Sequence, residues 1–421
     1  MWPDDPAATD TGDSFPDDLR DHLSFEFEDC VDELAGLIDD YAVDRERAGT
    51  ILRLRLGISG DRPETLTRIG ARLDFSRDRA RQLHTKAVGE LLRHTVRAGR
   101  LPVPEYARRY PVDARDSLLT RALLAETYVT DTDIAVNDLC YLKLRLAGHT
   151  AADAKRVAGF VTQRIVGWRK KTNHLLSRLR ADGAPAGPPT PWTERIDWPT
   201  GSRSPAPLPT APARTFDLDD DGRGRFYLHK AGRDIGFDSG LEARLLRLLD
   251  TDDRIHTFQE YPDAVGYTVD GADRLHFPTV AAELTDGRRV LIDEQPLGFV
   301  GFHGNRAKSA AARDWAHDNG WGWLLWTGST LGEAELGARP VPGAIEGRLT
   351  ELLAAGPVRL PELRALRADT GFEFLDLLTL TLRHEWRWDR APFRLTAGPR
   401  ESAAAGAPAT VTTRAAVTET G

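Results

Sequence analysis

The chain has 421 residues and a formal net charge of −8, with 41% hydrophobic and 29% charged residues. That is enough apolar material for two or three cores, and it excludes a wholly disordered chain or a uniformly basic nucleic-acid coat. Two cysteines, Cys30 and Cys140, match no zinc spacing and exclude a disulfide-rich secreted fold. The opening MWPDDPAATD lacks the basic and apolar regions of a signal peptide, and no apolar run is long enough to span a bilayer. A cytoplasmic protein with no membrane partner is therefore expected.

Charge is segregated along the chain. Residues 1–50 carry 16 acidic and 3 basic residues, net −13, and residues 51–100 carry 12 basic and 5 acidic, net +7. Residues 1–30 read as an acidic, disordered arm. Leu34, Leu37, Ile38 and Tyr41 recur at helical spacing and predict one helix or two short ones over 31–55. The module 31–98 then continues with an apolar ridge of Leu66, Ile69 and Leu73, a turn at Leu73-Asp74-Phe75, and Ser76 as a good N-cap. The next helix should run from Arg77 to about Leu92, burying Ala80, Leu83, Ala87 and Leu91. Its other face carries Arg77, Arg79, Arg81, Gln82 and Lys86. Two helices joined by a tight turn, with Arg and Gln opening the second, suit insertion into a DNA major groove. Gln can pair with adenine and Arg with guanine edges, while other cations neutralise phosphate. The plainer alternative is a solvated basic hairpin with no ligand.

Residues 99–182 keep a helical pattern. The Pro/Gly-rich stretch 183–216, with GAPAGPPTPW and GSRSPAPLPTAPAR, reads as an extended flexible linker that would let the modules on either side engage one DNA molecule. From 217 to 330 short aromatic and β-branched runs (FYLH, TFQEY, VGYTV, LHFPTVAAEL, RRVLIDEQ, WGWLLWTG) alternate with turns, and helices flank them at 239–250 and 305–318. Trp315, Trp321, Trp323 and Trp326 are expected in the core of this α/β domain. Residues 331–395 return to helix, as a helix-turn-helix or a winged unit, and 396–421 read as a disordered tail.

Three pieces of the basic module, LRLG at 54–57, TLTRIG at 65–70 and SRDRARQLHTKA at 76–87, resemble region 4 of bacterial RNA polymerase sigma factors. The resemblance implies a helix-turn-helix whose DNA-reading helix holds Arg77, Arg79, Arg81, Gln82 and Lys86. No region 2 signature with its aromatic melting residues precedes it, so a borrowed helix-turn-helix fits better than a working sigma factor.

In the α/β segment, strand alternation puts Asp293 and Gln295 on one face and Glu294 on the other. Acids from two strands with a cation two residues further on form an arrangement that holds Mg²⁺ and activates water. The order S-x-x-E at 239–242, TFQEYP at 257–262, FPT at 277–279, LTDGRRVLIDEQP at 284–296 and NRAKSAAARDWAHDNGWGW at 305–323 resembles the restriction-endonuclease-like PD-(D/E)XK fold, most of all TnsA-type transposon endonucleases. The resemblance implies catalytic positions at Glu242, 279, Asp293 and 295, with Glu242 and Asp293 holding Mg²⁺ if the site is active and no cofactor otherwise. Thr279 stands where the family has Asp, and Gln295 where it has Lys. A hydroxyl is a poor Mg²⁺ ligand, and the amide lacks the lysine charge. Glu283 lies about 13 Å further along the strand, too far to replace the missing acid, and Glu294 would need a bulge to turn inward. Gln259 and Lys308 are accessory candidates.

The fold expected is multidomain: an all-α N-terminal half with a helix-turn-helix, a Pro-rich linker, an α/β nuclease-like domain and a small helical C-terminal unit. The leading functional expectation is a double-stranded DNA-binding protein whose nuclease-like domain does not cleave. A Mg²⁺-dependent endonuclease of a mobile element or defence system, and an accessory transcription factor that contacts RNA polymerase, stay open as alternatives. Recombination or defence proteins are further candidate partners.

Overall fold

The computed structural model describes residues 25–58, 63–130, 132–179, 192–201, 203–214, 224–237, 239–329 and 331–398. The acidic stretch 1–24, residues 183–191 and the tail from 399 lie outside the described residues. No helix among the described residues is long and apolar enough to cross a membrane.

The N-terminal half is helical: α1 (Phe25–Ala42), α2 (Glu46–Leu56), α3 (Leu66–Leu73), α4 (Arg77–Arg97), α5 (Pro104–Arg109), α6 (Asp116–Thr130), α7 (Val136–Leu146) and α8 (Ala151–Leu179). Its core collects the apolar stripes, with Leu34, Ile38, Leu91, Leu123, Leu142 and Val157 fully or nearly buried. A polar cluster sits inside it. The buried Glu126 carboxylate accepts hydrogen bonds from Tyr110 Oη, from Arg109 and from Lys143 Nζ at 2.6 Å. Burial opposes the charge on Glu126, but Lys143 and Arg109 outweigh it and hold the carboxyl below its ordinary range. Cys30 and Cys140 are free and buried, and burial chiefly pushes both thiols up to about 12, which makes them poor nucleophiles.

The α2–α3–α4 hairpin has its own small core of Ile51, Leu66, Ile69 and Ala80. Thr65 caps α3 by accepting from the Arg68 N–H, and Ser76 caps α4 by accepting from the Arg79 N–H, both at 3.2 Å. Between them Asp74 takes a left-handed conformation, φ 60°, which Asp tolerates better than most residues. Gly70 permits the tight approach: a Cβ there would sit 2.7 Å from the Phe75 carbonyl oxygen.

The central domain contains β1 (Gly224–Leu228), β2 (Arg233–Phe237), α9 (Gly240–Thr251), β3 (Ile255–Glu260), β4 (Val265–Val269), β5 (Ala272–His276), β6 (Val280–Leu284), β7 (Arg289–Glu294), α10 (His303–Asp318) and β8 (Gly322–Trp326). Its main sheet has the order β3-β6-β7-β8; the β7–β8 pair is parallel and the other two are antiparallel. Parallel neighbours need a crossover, which α10 supplies. β1–β2 and β4–β5 form separate hairpins. Alternation along the strands divides the cores. Val280, Ala282, Val290 and Ile292 face the α9 side, whereas Ala281, Leu291, Trp323 and Leu325 join the side that holds α10. Trp321, Trp323 and Trp326 are buried, and Trp315 packs edge-on against Trp321.

The C-terminal unit is α11 (Glu333–Ala338), α12 (Gly343–Ala355), α13 (Leu360–Thr370), α14 (Phe374–Arg383), β9 (Arg387–Asp389) and β10 (Arg394–Thr396). The last two strands form a hairpin, and Val358 between α12 and α13 pairs with Leu395 through two backbone hydrogen bonds of 2.8 and 2.9 Å. The unit therefore carries the hairpin that a winged arrangement requires.

Two expectations change. The segment 192–214 is no free linker where it is described. Trp192 and Ile196 are in the α9-side core, Asp197 bridges Trp323 beside β8, and Trp321 Nε1 donates to the Ala206 carbonyl at 2.8 Å. Ala213 N–H donates to Tyr261 O at 2.8 Å. Prolines cannot donate, but their carbonyls still accept, and Trp192 supplies the burial that the Pro-rich composition lacks. The acidic arm also ends earlier than expected, because α1 starts at Phe25 and uses its acids as docking groups. Glu28 makes a two-pronged pair with Arg390, both contacts 3.1 Å, with both side chains buried. Asp29 pairs with Arg364 at 2.6 Å, and Asp32 accepts from the Phe393 N–H at 2.5 Å. The Arg390 guanidinium also lies 4.4 Å from the Phe299 ring centre and 5.2 Å from that of Phe302. One side chain thus joins the helical half, the α/β domain and the C-terminal unit.

Candidate functional site

Two regions hold the residues singled out in the sequence. The first is the exposed face of α4. Its inner residues Ala80, Ala87 and Leu91 are buried and Leu83 partly so, which turns Arg79, Arg81, Gln82 and Lys86 to solvent and leaves Arg77 half-buried. Gln82 Oε1 accepts from Arg79 at 3.4 Å, and Lys86 lies 3.8 Å from Glu90 one turn on. These are weak, exposed contacts that a stronger anion can displace. The expected helix ended near Leu92; α4 runs on to Arg97.

The second region is the end of β6 and β7. The antiparallel register pairs Val280 with Ile292, so one step outward Thr279 lies opposite Asp293. Thr279 Oγ1 donates to Asp293 Oδ1 at 3.2 Å. The Glu294 N–H lies 3.1 Å from both Thr279 Oγ1 and Asp293 Oδ1. From the end of β5, His276 Nε2 reaches Asp293 Oδ2 at 2.5 Å. The Asp293 carboxylate, which is almost fully buried, is thus satisfied by a hydroxyl, an amide and an imidazole.

Glu242 is also buried, in the first turn of α9, where Ser239 Oγ accepts from its N–H at 2.9 Å. Its carboxylate accepts a hydrogen bond from the Tyr261 hydroxyl. Tyr261 itself sits at φ 44°, an uncommon conformation for a non-glycine residue, just after β3, and its N–H pairs with the Thr279 carbonyl at 3.0 Å.

A cavity of about 540 Å³ opens over this site. Thr279, Asp293, Glu294, His276, Tyr261 and Lys308 line it, but Glu242, Gln259 and Gln295 do not. Lys308, an accessory candidate, is therefore brought to the site. Gln259 is not: it is held by Arg233 at 3.1 Å and by the Glu260 carbonyl at 2.9 Å. Glu242 is separated from the cavity by the tyrosine it binds. β7 runs through Glu294, which follows Asp293 on the opposite face of the sheet; both residues border the cavity at the strand's end, and Gln295, just beyond it, does not. The Gln295 side chain is buried, and its amide finds no hydrogen-bond partner among the described residues. Glu283, further down β6, is bound to Arg289 at 2.7 Å.

Neither protein-family models nor curated proteins match this chain.

As placed, the acids of this region are engaged with neighbouring side chains. Mg²⁺ takes an octahedron of oxygens, typically one or two carboxylates with waters completing it. Here Asp293 accepts from Thr279 and the Glu294 N–H and contacts His276, Glu242 is bound to Tyr261, the position between is a hydroxyl, and Glu294 lies beside Asp293. No group of three or more His, Cys, Asp or Glu side chains is placed to hold a metal among the described residues. Sequence reading missed three contributors: His276, Tyr261, and the helix α3, whose Arg68 and Arg72 form the opposite wall of the cavity. TFQEYP and LHFPT contained the first two, but nothing in their spacing tied them to Asp293 or Glu242. The approach of α3 is a tertiary contact with no local signal.

Proposed function

We propose that this chain is a double-stranded DNA-binding protein in which a sigma-region-4-like helix-turn-helix reads the duplex and a TnsA-like nuclease-fold domain binds without cleaving. The observation that carries the reading is the capped α4, which buries its apolar side and offers Arg79, Arg81, Gln82 and Lys86 together on an open face. Arg79 and Arg81 neutralise phosphates or reach guanine edges, and Gln82 is suited to adenine. The loss of cleavage is supported by Thr279 and Gln295 at the missing Asp and Lys positions and by the hydrogen bonds that occupy Asp293.

Titration of a fluorescent duplex at several salt concentrations tests the DNA reading. Arg79→Ala with Arg81→Ala should weaken binding across sequences by about 10- to 100-fold and reduce the salt slope by about 1 for each phosphate no longer neutralised. Gln82→Ala should instead change which sequences bind best. Unchanged affinity in the double variant together with unchanged sequence preference in Gln82→Ala would place the DNA surface elsewhere. Cleavage is tested separately: supercoiled plasmid incubated with Mg²⁺ or Mn²⁺ should stay intact. Metal-dependent nicking that disappears in Asp293→Ala would establish the endonuclease reading instead.

A further inference from the structure

The cavity beside Asp293 has two walls from different modules. The α/β side contributes Arg214, Arg274 and Lys308, and α2 and α3 contribute Arg53, Arg68 and Arg72. These six cations face four carboxylates, Glu64, Asp273, Asp293 and Glu294. Charges of both signs are already engaged: Glu64 with Arg72 at 2.8 Å, Arg53 with Asp39, Asp273 with Thr268 at 2.8 Å, and Asp293 as described above; Arg68, Arg214, Arg274 and Lys308 still outnumber the other acid, Glu294. Net positive charge in a low-dielectric cleft focuses potential toward an anion. Guanidinium groups match phosphate oxygens in pairs. The half-buried aromatic side chains of Tyr267 and Phe277 also line the space, and aromatic rings are the groups on which bases stack.

Size decides between possible anions. At about 540 Å³ the cavity falls within the small-ligand range of roughly 300–1,000 Å³. A duplex, whose major groove alone is about 12 Å wide, does not fit such a space. We infer that this interdomain cavity is a binding site for a phosphorylated nucleoside, gripped by arginines of the helix-turn-helix module on one wall and by Arg274 and Lys308 on the other. The phosphate monoester comes either from a free nucleotide or from the 5′ end of a nucleic-acid strand, and both present the same chemistry. The site is separate from the exposed face of α4 and does not depend on cleavage.

Calorimetric titration of the full chain tests this with deoxyadenosine 5′-monophosphate, deoxyadenosine, inorganic phosphate, and a deoxyadenosine tetranucleotide with and without a 5′-phosphate. At least one of the two phosphorylated nucleoside probes should bind with one site per chain, and tighter than its unphosphorylated counterpart by at least tenfold. Binding of the mononucleotide identifies a free nucleotide as the source; binding of the phosphorylated tetranucleotide alone identifies a strand end. Arg68→Ala and Lys308→Ala, one from each wall, should each weaken the interaction at least tenfold without changing the melting temperature. If Lys308→Ala lowers the melting temperature, Arg274→Ala at an exposed position replaces it. The inference is overturned if neither phosphorylated probe binds, if inorganic phosphate binds as tightly as the phosphorylated probe that does bind, or if the variants keep full affinity. None of these titrations contains a duplex, so their failure is distinct from failure of the DNA-binding reading.

Discussion

Arg390→Ala is expected to lower the stability of the folded chain by about 3–5 kcal/mol, because it leaves the Glu28 carboxylate buried without its partner. The loss has a second part. The guanidinium fills the space against Phe299 and Phe302, so truncation also removes packing between the C-terminal unit and the α/β domain. Chemical denaturation followed by tryptophan fluorescence and by circular dichroism measures the effect. The wild type should unfold with the helical half and the α/β domain coupled. In the variant the two probes should separate and the first midpoint should fall. Arg390→Lys keeps the charge but loses the two-pronged geometry and should lie between them. Replacing both partners, Glu28→Leu with Arg390→Met, should cost much less than the single change, since no charge is then stranded. A single-variant midpoint equal to that of the wild type would mean that the joint contributes little.

Glu126→Ala should have an effect of similar size, about 3–5 kcal/mol, by stranding Lys143 and Arg109 around a buried hole. The same residue gives a pH dependence. Lys143 and Arg109 depress the Glu126 carboxyl below its unfolded value despite the opposing effect of burial. A carboxyl depressed on folding contributes stability that is complete above its unfolded pKa, about 4.3, and is lost as pH falls through the folded value. Denaturation midpoints between pH 7 and pH 3 should therefore drop for the wild type, and the drop should be shallower in Glu126→Ala. An equally steep acid loss in both would assign it to other carboxylates.

What the sequence made legible was local. Ser76 before Arg77 announced the start of α4 because a cap and a helical stripe are both written within a few residues. The pairing of Thr279 with Asp293 followed from two alternating strands and the short TDGR turn between them. Beyond Glu294 the strand stops, and alternation no longer places Gln295. Contacts over long separations were not legible. Glu28 and Arg390 are 362 positions apart, and nothing near either one names the other. Composition gave the wrong sense for 192–214: a stretch rich in Pro and Ser lacks a core of its own, but Trp192 and Ile196 borrow one from the neighbouring domain. The Asp293–His276 contact lay hidden for a related reason, since a hairpin end rather than a sequence interval brings the imidazole in.

The strap along β8 bears on how the molecule can be divided. A fragment that begins near residue 217, where the composition changes, would leave out the backbone that pairs with Trp323 and shields the Trp321 indole. An uncovered outer strand of that kind is sticky toward other chains. An α/β fragment intended to stay dispersed should begin upstream of Trp192, and it should keep the C-terminal hairpin whose Trp388 packs on Phe302.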